Sequence, residues 1–470
     1  MSQCSLQNFF EPQAVAVVGA RRSFGFGYGI PLFLQKHGWG DRLYLVNPVG
    51  GKLHGQIVYR RVQDVPGPVD LAIVIVPAGS VPGVMEEIGE AGIRSVIIET
   101  AGFAETGKAG LALQEKVKAI AAGYRMRVIG PNCVGVVNTE NKFCSVELIE
   151  ESLTPGPLSI IAQSGVFGNI LLDHLYQYGL LISKAVTLGN RMDIDESDVL
   201  DYLDRDPMTR VIMIYLEGTA DGRRLMTPLA RVTKKKPVLV LKSGRTEAGK
   251  RATASHTGSL SGQDDIYRAV FAQAGAIRAE TLSQLIDLAR IFTTQPLAKG
   301  NRLGIITTSG SLGALATDVA VSNGLAVPPL SSSMVNQIRG KEISPDWMNL
   351  KNPLDIGPSA IYGRLLPLLL ADPEIDMVLA IMVIPYAPVI TLKGAGFAMR
   401  DWFGDIASIR EQHPDKPLVG VVVGHPELLN DIVSISGRSV PVFASPESAA
   451  KALAILWSYS KARQTSRGSG

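Results

Sequence analysis

A chain of 470 residues is long enough for about three domains of roughly 150 residues each. It is 46% hydrophobic and 19% charged, a balance that excludes general disorder. Its 46 basic and 43 acidic residues leave a net charge of +3 with no long basic block, which argues against nucleic acid as the main partner.

Three cysteines, Cys4, Cys133 and Cys144, are too few for a disulfide framework and fit a reducing compartment. The N-terminal residues lack the basic start and apolar run of a signal peptide. The strongest apolar run, Met377 to Ile384, is eight residues long and stopped by Pro385. A membrane helix needs about 20. The expectation is a protein of the cytoplasm with no membrane contact.

In chain order, short Val/Ile-rich runs at Ala14–Val18, Leu43–Val46, Leu71–Val76, Val96–Ile98 and Arg127–Ile129 alternate with helical stretches such as Ser80–Ala91 and Lys108–Ala121. Continuous rather than alternating apolar runs imply strands buried on both faces, hence parallel sheets covered by helices. The cycle restarts after Leu153-Thr154-Pro155-Gly156-Pro157, with strands at Leu158–Ala162, Ser183–Leu188, Val211–Tyr215 and Pro237–Leu241. A second break, Thr294 to Gly300, precedes strands at Arg302–Thr307, Met377–Ile384, Leu418–Val423 and Val440–Phe443. Three α/β domains in series are therefore predicted, over residues 1–148, 149–297 and 298–462, with a polar, disordered tail at 463–470.

The first strand runs into a turn rich in glycine, Gly19-Ala20-Arg21-Arg22-Ser23-Phe24-Gly25. Such a turn lets the backbone approach a phosphate. The G-x-G-x-x-G spacing is absent and strand two ends in Val46-Asn47-Pro48 without an acid, so NAD is disfavoured. A different phosphate-bearing nucleotide, with Arg21 and Arg22 supplying charge, fits better; a glycine turn without ligand is the alternative.

Gly244 to Lys250 satisfies most of a phosphate-loop pattern, but Arg251 stands where a Ser or Thr would hold magnesium. The following Ala-Thr-Ala-Ser-His-Thr-Gly-Ser is too rich in hydroxyls and glycine to begin a good helix, and an ATP site is rejected there. His256, read as a loop residue among hydroxyls and glycine, suits a nucleophile that takes up a phosphoryl group; a plain surface histidine is the alternative. Ser164 of Gln163-Ser164-Gly165 is a natural N-cap for an apolar helix through Tyr176, and the N–H groups there could hold phosphate or only cap the helix. Glu217 follows the strand Val211–Leu216 at a carboxyl end, where a carboxylate could orient an imidazole or be an ordinary loop acid. Cys133, in Gly130-Pro131-Asn132-Cys133, is either a reactive thiol or a buried structural one. No H-E-x-x-H, paired C-x-x-C or G-x-S-x-G occurs, so zinc- and serine-hydrolase readings have no support and no metal site is expected.

Taken together, Val17-Val18-Gly19-Ala20, Val46-Asn47-Pro48, Val76-Pro77-Ala78, Thr100-Ala101-Gly102-Phe103-Ala104-Glu105-Thr106-Gly107, Gly130-Pro131-Asn132-Cys133, Gln163-Ser164-Gly165, Lys242-Ser243-Gly244-Arg245, Ser255-His256-Thr257-Gly258, Asn352-Pro353-Leu354-Asp355 and Pro441 to Glu447 stand in the order of a known family. The chain resembles the α subunit of NDP-forming acyl-CoA synthetases, relatives of succinyl-CoA synthetase. The resemblance implies a CoA-binding Rossmann-like domain followed by two flavodoxin-like, doubly wound parallel-sheet domains. It also implies the reaction acyl-CoA + phosphate + ADP ⇌ acid + CoA + ATP through an acyl phosphate. His256 would carry the phosphoryl group, held by Glu217 and by N–H groups around Ser164 and Gly165. CoA would lie along Gly19, Ala20, Arg21, Ser23, Asn47, Pro48, Val76, Pro77, Thr100, Ala101, Gly102, Asn132 and Cys133. ADP or ATP with magnesium would sit on an ATP-grasp β subunit in an α2β2 assembly. Where relatives carry Gly-Ala-Ser with a nearby Pro-Gly-Lys, this chain has Gly19-Ala20-Arg21-Arg22-Ser23, so its phosphate contacts are expected to differ. A CoA- or acyl-CoA-binding regulatory scaffold with a vestigial catalytic loop is the alternative function.

Overall fold

The computed structural model describes residues 6–146, 148, 150–165, 170–219, 221–257, 262–341, 343, 348–357, 361–396, 398–425 and 435–468, and of residues 170, 254–257, 392, 399, 402 and 466–468 the backbone alone. Residues 1–285 form one unit and 286–470 another.

Seven strands make the first sheet of unit one: β1 Val15–Val18, β2 Leu43–Val46, β3 Gly51–Leu53, β4 Gln56–Tyr59, β5 Leu71–Val74, β6 Ser95–Ile98 and β7 Arg127–Ile129. Their order is β3-β4-β2-β1-β5-β6-β7, parallel from β4 to β7. Every residue of β1, β5 and β6 is buried, the reason those stretches read as unbroken apolar runs. Only β3 runs antiparallel, turning into β4 through His54-Gly55, both at positive φ (51° and 81°). That is the twist a two-residue hairpin requires, though histidine is an uncommon residue for it. β1 is paired with β2 on one side and β5 on the other, so the chain reverses its winding direction at the end of β1.

The second sheet holds β8 Val136–Asn138, β9 Phe143–Cys144, β10 Leu158–Ala162, β11 Ile182–Thr187, β12 Val211–Leu216, β13 Val238–Lys242 and β14 Ile277–Ala279, ordered β14-β13-β12-β10-β11-β8-β9. β10 to β14 are parallel, and its switch falls at β10, between β11 and β12. β8 and β9 add antiparallel at the edge, so the chain joins this sheet at Val136, earlier than the expected domain boundary after residue 148. Packing explains the early transfer: Trp39, behind the first sheet, meets Phe143 of β9 with ring centroids 5.0 Å apart, inside one apolar core that includes residues of both sheets. Lys184 on β11 is buried and paired with Asp206 at 3.0 Å, where burial alone would raise the carboxyl but bonds from Thr209 and Lys184 hold it below the ordinary range.

Unit two carries β15 Leu303–Thr307, β16 Leu354–Asp355, β17 Met377–Ile384, β18 Leu418–Gly424 and β19 Val442–Phe443, all parallel in the order β16-β15-β17-β18-β19. Its last helix runs Pro446–Gly468 against the helix Gly310–Ser322. The tail expected to be disordered from 463 is thus helical to Gly468. Its Lys461, Ala462, Arg463 and Gln464 are good helix formers that extend a helix already anchored by buried Leu453 and Leu456. No helix of the described residues is long and apolar enough to cross a membrane.

Candidate functional site

The carboxyl ends of the first sheet's parallel strands open into a cleft of about 940 Å³ that reaches the end of β10 in the second sheet. Such strand ends at a switch point are where open α/β sheets hold ligands. Gly19, directly after β1, has φ +98° and donates its N–H to Val46 O at 2.9 Å; a Cβ there would come within 2.6 Å of the Ile75 carbonyl. Glycine is therefore needed both for conformation and for the close approach of β5. Asn47 pins the neighbouring turn, donating from Nδ2 to Ala20 O at 3.0 Å and accepting Val49 N–H on Oδ1 at 3.0 Å. Thr100 donates its hydroxyl to Val76 O at 2.7 Å and accepts Asn132 N–H on its carbonyl at 2.9 Å, tying the ends of β5, β6 and β7 into one wall.

Gly19, Arg21, Asn47, Pro48, Val76, Pro77, Thr100, Ala101, Asn132 and Cys133 line this cleft together with Ser164 and Gly165. Ala20 is buried outside the lining, Ser23 is exposed, and Gly102 is turned to Glu105, whose carboxylate accepts its N–H at 2.6 Å. Burial alone would raise the Glu105 carboxyl, but hydrogen bonds from Asn190 and from the Gly102 and Phe103 N–H groups hold it below the ordinary range. Cys133 is buried with its Sγ 3.4 Å from Ile98 O, and burial, with the Glu99 charge adding, holds its thiol well above the ordinary value. That environment fits the structural alternative for this cysteine and disfavours a thiolate nucleophile.

Glu217 is buried beyond the end of β12 and held through its backbone. Gln163 Oε1 accepts both Glu217 N–H (2.6 Å) and Gly218 N–H (3.1 Å), while Gln163 Nε2 donates to Gly218 O and to Glu196. From the other side Lys242 Nζ donates to Glu217 O at 2.7 Å and lies 4.8 Å from the Tyr267 ring centroid. Burial pushes the Lys242 ammonium down to about 8. It also raises the Tyr215 hydroxyl, with the Glu217 charge adding to the shift.

His256 is on the helix Glu247–Thr257 rather than in a loop, and its side chain lies outside the described residues. Alanine, lysine, arginine and glutamate outweigh the hydroxyl residues here. Thr246 Oγ1 accepts Gly249 N–H at 3.1 Å, and Lys250 pairs with Glu247 at 2.6 Å. This helix rests against the short turn Ala104–Thr106 that follows the cleft wall at Ala101. The helix expected after Ser164 runs Ile170–Gln177 among the described residues, and 166–169, which decide whether Ser164 caps it, lie outside them, as does Cys4.

Sequence reasoning missed Phe26, Arg60, Glu99 and Asn190, which line the cleft, and gave Gln163 no role of its own. Arg60 directly follows β4 and Glu99 directly follows β6, so their places after strands were the usable signal.

Two linked parallel sheets, with a cleft along the carboxyl edge of the first and a buried Gln163–Glu217–Lys242 clamp in the second, define a CoA-binding domain joined to a succinyl-CoA-ligase-type flavodoxin domain. The CoA-binding domain family matches residues 13–139, and the succinyl-CoA-ligase-like flavodoxin domain family matches residues 155–292. The α subunit of ADP-forming acetate–CoA ligase I from Pyrococcus furiosus is 36% identical over 97% of this chain and 98% of that one. The ADP-forming acetate–CoA ligase of Methanocaldococcus jannaschii is 41% identical over 73% of this chain, a match that covers 48% of that longer protein. Among solved structures, the dinucleotide-forming acetyl-coenzyme A synthetase 1 of Ca. Korarchaeum cryptofilum, in complex with phosphate and ADP, superposes with a TM-score of 0.87 at 32% identity, covering 99% of both chains. The chain belongs to the family of α subunits of ADP-forming acyl-CoA ligases.

Proposed function

We propose that the cleft binds CoA along the carboxyl edge of the first sheet and delivers its thioester to Ser164 and Gly165, where inorganic phosphate attacks. The carbonyl carbon forms a bond to phosphate oxygen, the carbon–sulfur bond breaks, and CoA leaves as thiolate to give an acyl phosphate. His256 then takes the phosphoryl group and the carboxylic acid departs; Glu217 orients the imidazole that attacks. Phosphohistidine passes the group to ADP with magnesium on a separate ATP-grasp β subunit, in an α2β2 assembly of the cytoplasm. The longer Methanocaldococcus relative supports a second component, since this chain matches about half of it. The acyl group is proposed to be small, because the relatives named above are acetate–CoA ligases.

The observation that carries this reading is the continuity of the cleft from Gly19 and Asn47 on the first sheet to Ser164 and Gly165 on the second, with Glu217 clamped beyond β12. The test follows label from radioactive phosphate on the purified chain with magnesium and a panel of acyl-CoAs. Acid-labile, base-stable label that needs an acyl-CoA and disappears in His256→Ala is expected. Absence of label with every acyl-CoA, even with the β subunit added, would leave a CoA-binding scaffold instead.

A further inference from the structure

The two ends of the cleft differ in chemistry. Strand ends along it follow the order β4, β2, β1, β5, β6, β7. With neighbouring strands about 4.8 Å apart, the five spacings from β4 to β7 span about 24 Å. Arg60 follows β4 and Arg21 follows β1, and both line the cleft toward this side; Ser164 and Gly165 belong to the other. Ile75, Val76 and Pro77, which follow β5, line the cleft between the two ends.

Neither Arg21 nor Arg60 makes an ion pair or hydrogen bond with any described residue. Arg22 differs, donating to Lys52 O at 2.9 Å and to Gly50 O, so it fastens the turn. Glycines shelve the other two. A Cβ on Gly25 would come within 2.8 Å of the Arg21 guanidinium, and one on Gly50 within 3.0 Å of the Arg60 side chain. Two exposed guanidiniums lining one cleft, with no ion-pair partner among the described residues, ask for an anion.

We infer that Arg21 and Arg60 form a phosphate clamp that reads the ribose phosphate monoester of CoA and so selects CoA over dephospho-CoA. This rests on the reading of the cleft as a CoA site. A phosphate monoester carries close to two negative charges at neutral pH, which two guanidiniums match by charge-assisted, bidentate hydrogen bonds. The internal diphosphate instead carries one negative charge on each of two phosphorus centres. With the monoester at the arginine rim, the pantetheine arm runs along the aliphatic wall and places its sulfur toward Ser164 and Gly165.

Calorimetric binding of CoA and dephospho-CoA to the intact chain tests this, comparing wild type with Arg21→Ala, Arg60→Ala, Arg60→Lys and the double alanine variant. Both arginines are exposed, so folding is expected to survive, and a thermal melt checks it. Wild type should bind CoA at least about tenfold tighter than dephospho-CoA. In the double variant that ratio should fall to near one with dephospho-CoA affinity unchanged, and Arg60→Lys should fall between. Equal affinity of wild type for the two ligands overturns the clamp, as does an unchanged ratio in the double variant. Equal losses for both ligands reassign the arginines to the diphosphate and also overturn it. A wild type that binds neither ligand removes the CoA reading itself.

Discussion

The Gln163 side-chain carbonyl accepts the backbone N–H of Glu217 at 2.6 Å, joining the end of β10 to the end of β12 across the switch point of the second sheet. A single amide thereby fixes the segment bearing the proposed imidazole-orienting carboxylate, while its neighbours Ser164 and Gly165 line the cleft. Position and chemistry of the two halves of the site are thus coupled through one residue.

Gln163→Ala leaves the Glu217 and Gly218 N–H groups without their side-chain acceptor. Each buried group left unsatisfied costs about 1–3 kcal/mol. The expected outcome is a loss of stability of that order in urea melts, together with phosphohistidine labelling slowed at least about tenfold, since the carboxylate is no longer held. Unchanged labelling in a destabilised variant would separate the clamp from catalysis.

Lys242 supplies a pH signature. Its folded-state value of about 8 lies below that of an exposed lysine, so between the two the unfolded chain holds a proton that the folded chain has released. Stability contributed by this group therefore rises as pH climbs from about 8 toward the ordinary lysine value. Urea midpoints at pH 7.5, 9 and 10 should show that rise in wild type relative to Lys242→Met. Parallel pH profiles for the two proteins would mean that Lys242 stays charged throughout.

Arg191 and Glu196 form a buried pair at 3.3 Å, and Arg191 also donates to Gly218 O at 2.8 Å. Burial raises the Glu196 carboxyl, with Arg191 and Gln163 opposing that shift. Arg191→Met leaves a buried carboxylate short of its cation and should cost about 3–5 kcal/mol. Adding Glu196→Gln removes the charge that Arg191 compensated, so the double variant is expected to recover part of the loss. The check is a double-mutant cycle from denaturant melts; strict additivity would show that the pair is not coupled.

The parallel strands were legible because burial on both faces leaves continuous Val/Ile runs, as in Leu71–Val74 and Ser95–Ile98. The hairpin at His54-Gly55 was not, since β3 and β4 are partly exposed and show no continuous apolar run, nor were the edge strands β8 and β9, which are three and two residues long and held by pairing and by Trp39 packing. Ala252 to Ser259 suggested a loop, yet an N-terminal cap and strong helix formers upstream carry the helix to Thr257. Within the site, glycine turns and the Asn47-Pro48 step were readable as motifs. Arg60, Glu99 and Asn190 belong to no motif; only the sheet order brings them to the same cleft.

Gly19 tests whether the cleft floor is as constrained as its geometry indicates. At φ +98° an alanine is strained by about 1–3 kcal/mol, and its Cβ would meet the Ile75 carbonyl at 2.6 Å and the Val76 side chain at 2.8 Å. Relief requires β1 and β5 to part just where the cleft opens, and that shift also disturbs the Gly19 N–H bond to Val46 O. Gly19→Ala should therefore lose stability by more than the strain alone and bind CoA at least about tenfold more weakly. Calorimetric titration of folded variant with CoA, alongside a thermal melt, measures both. Wild-type CoA affinity in a destabilised Gly19→Ala protein would show that the turn supports the fold without shaping the ligand's bed.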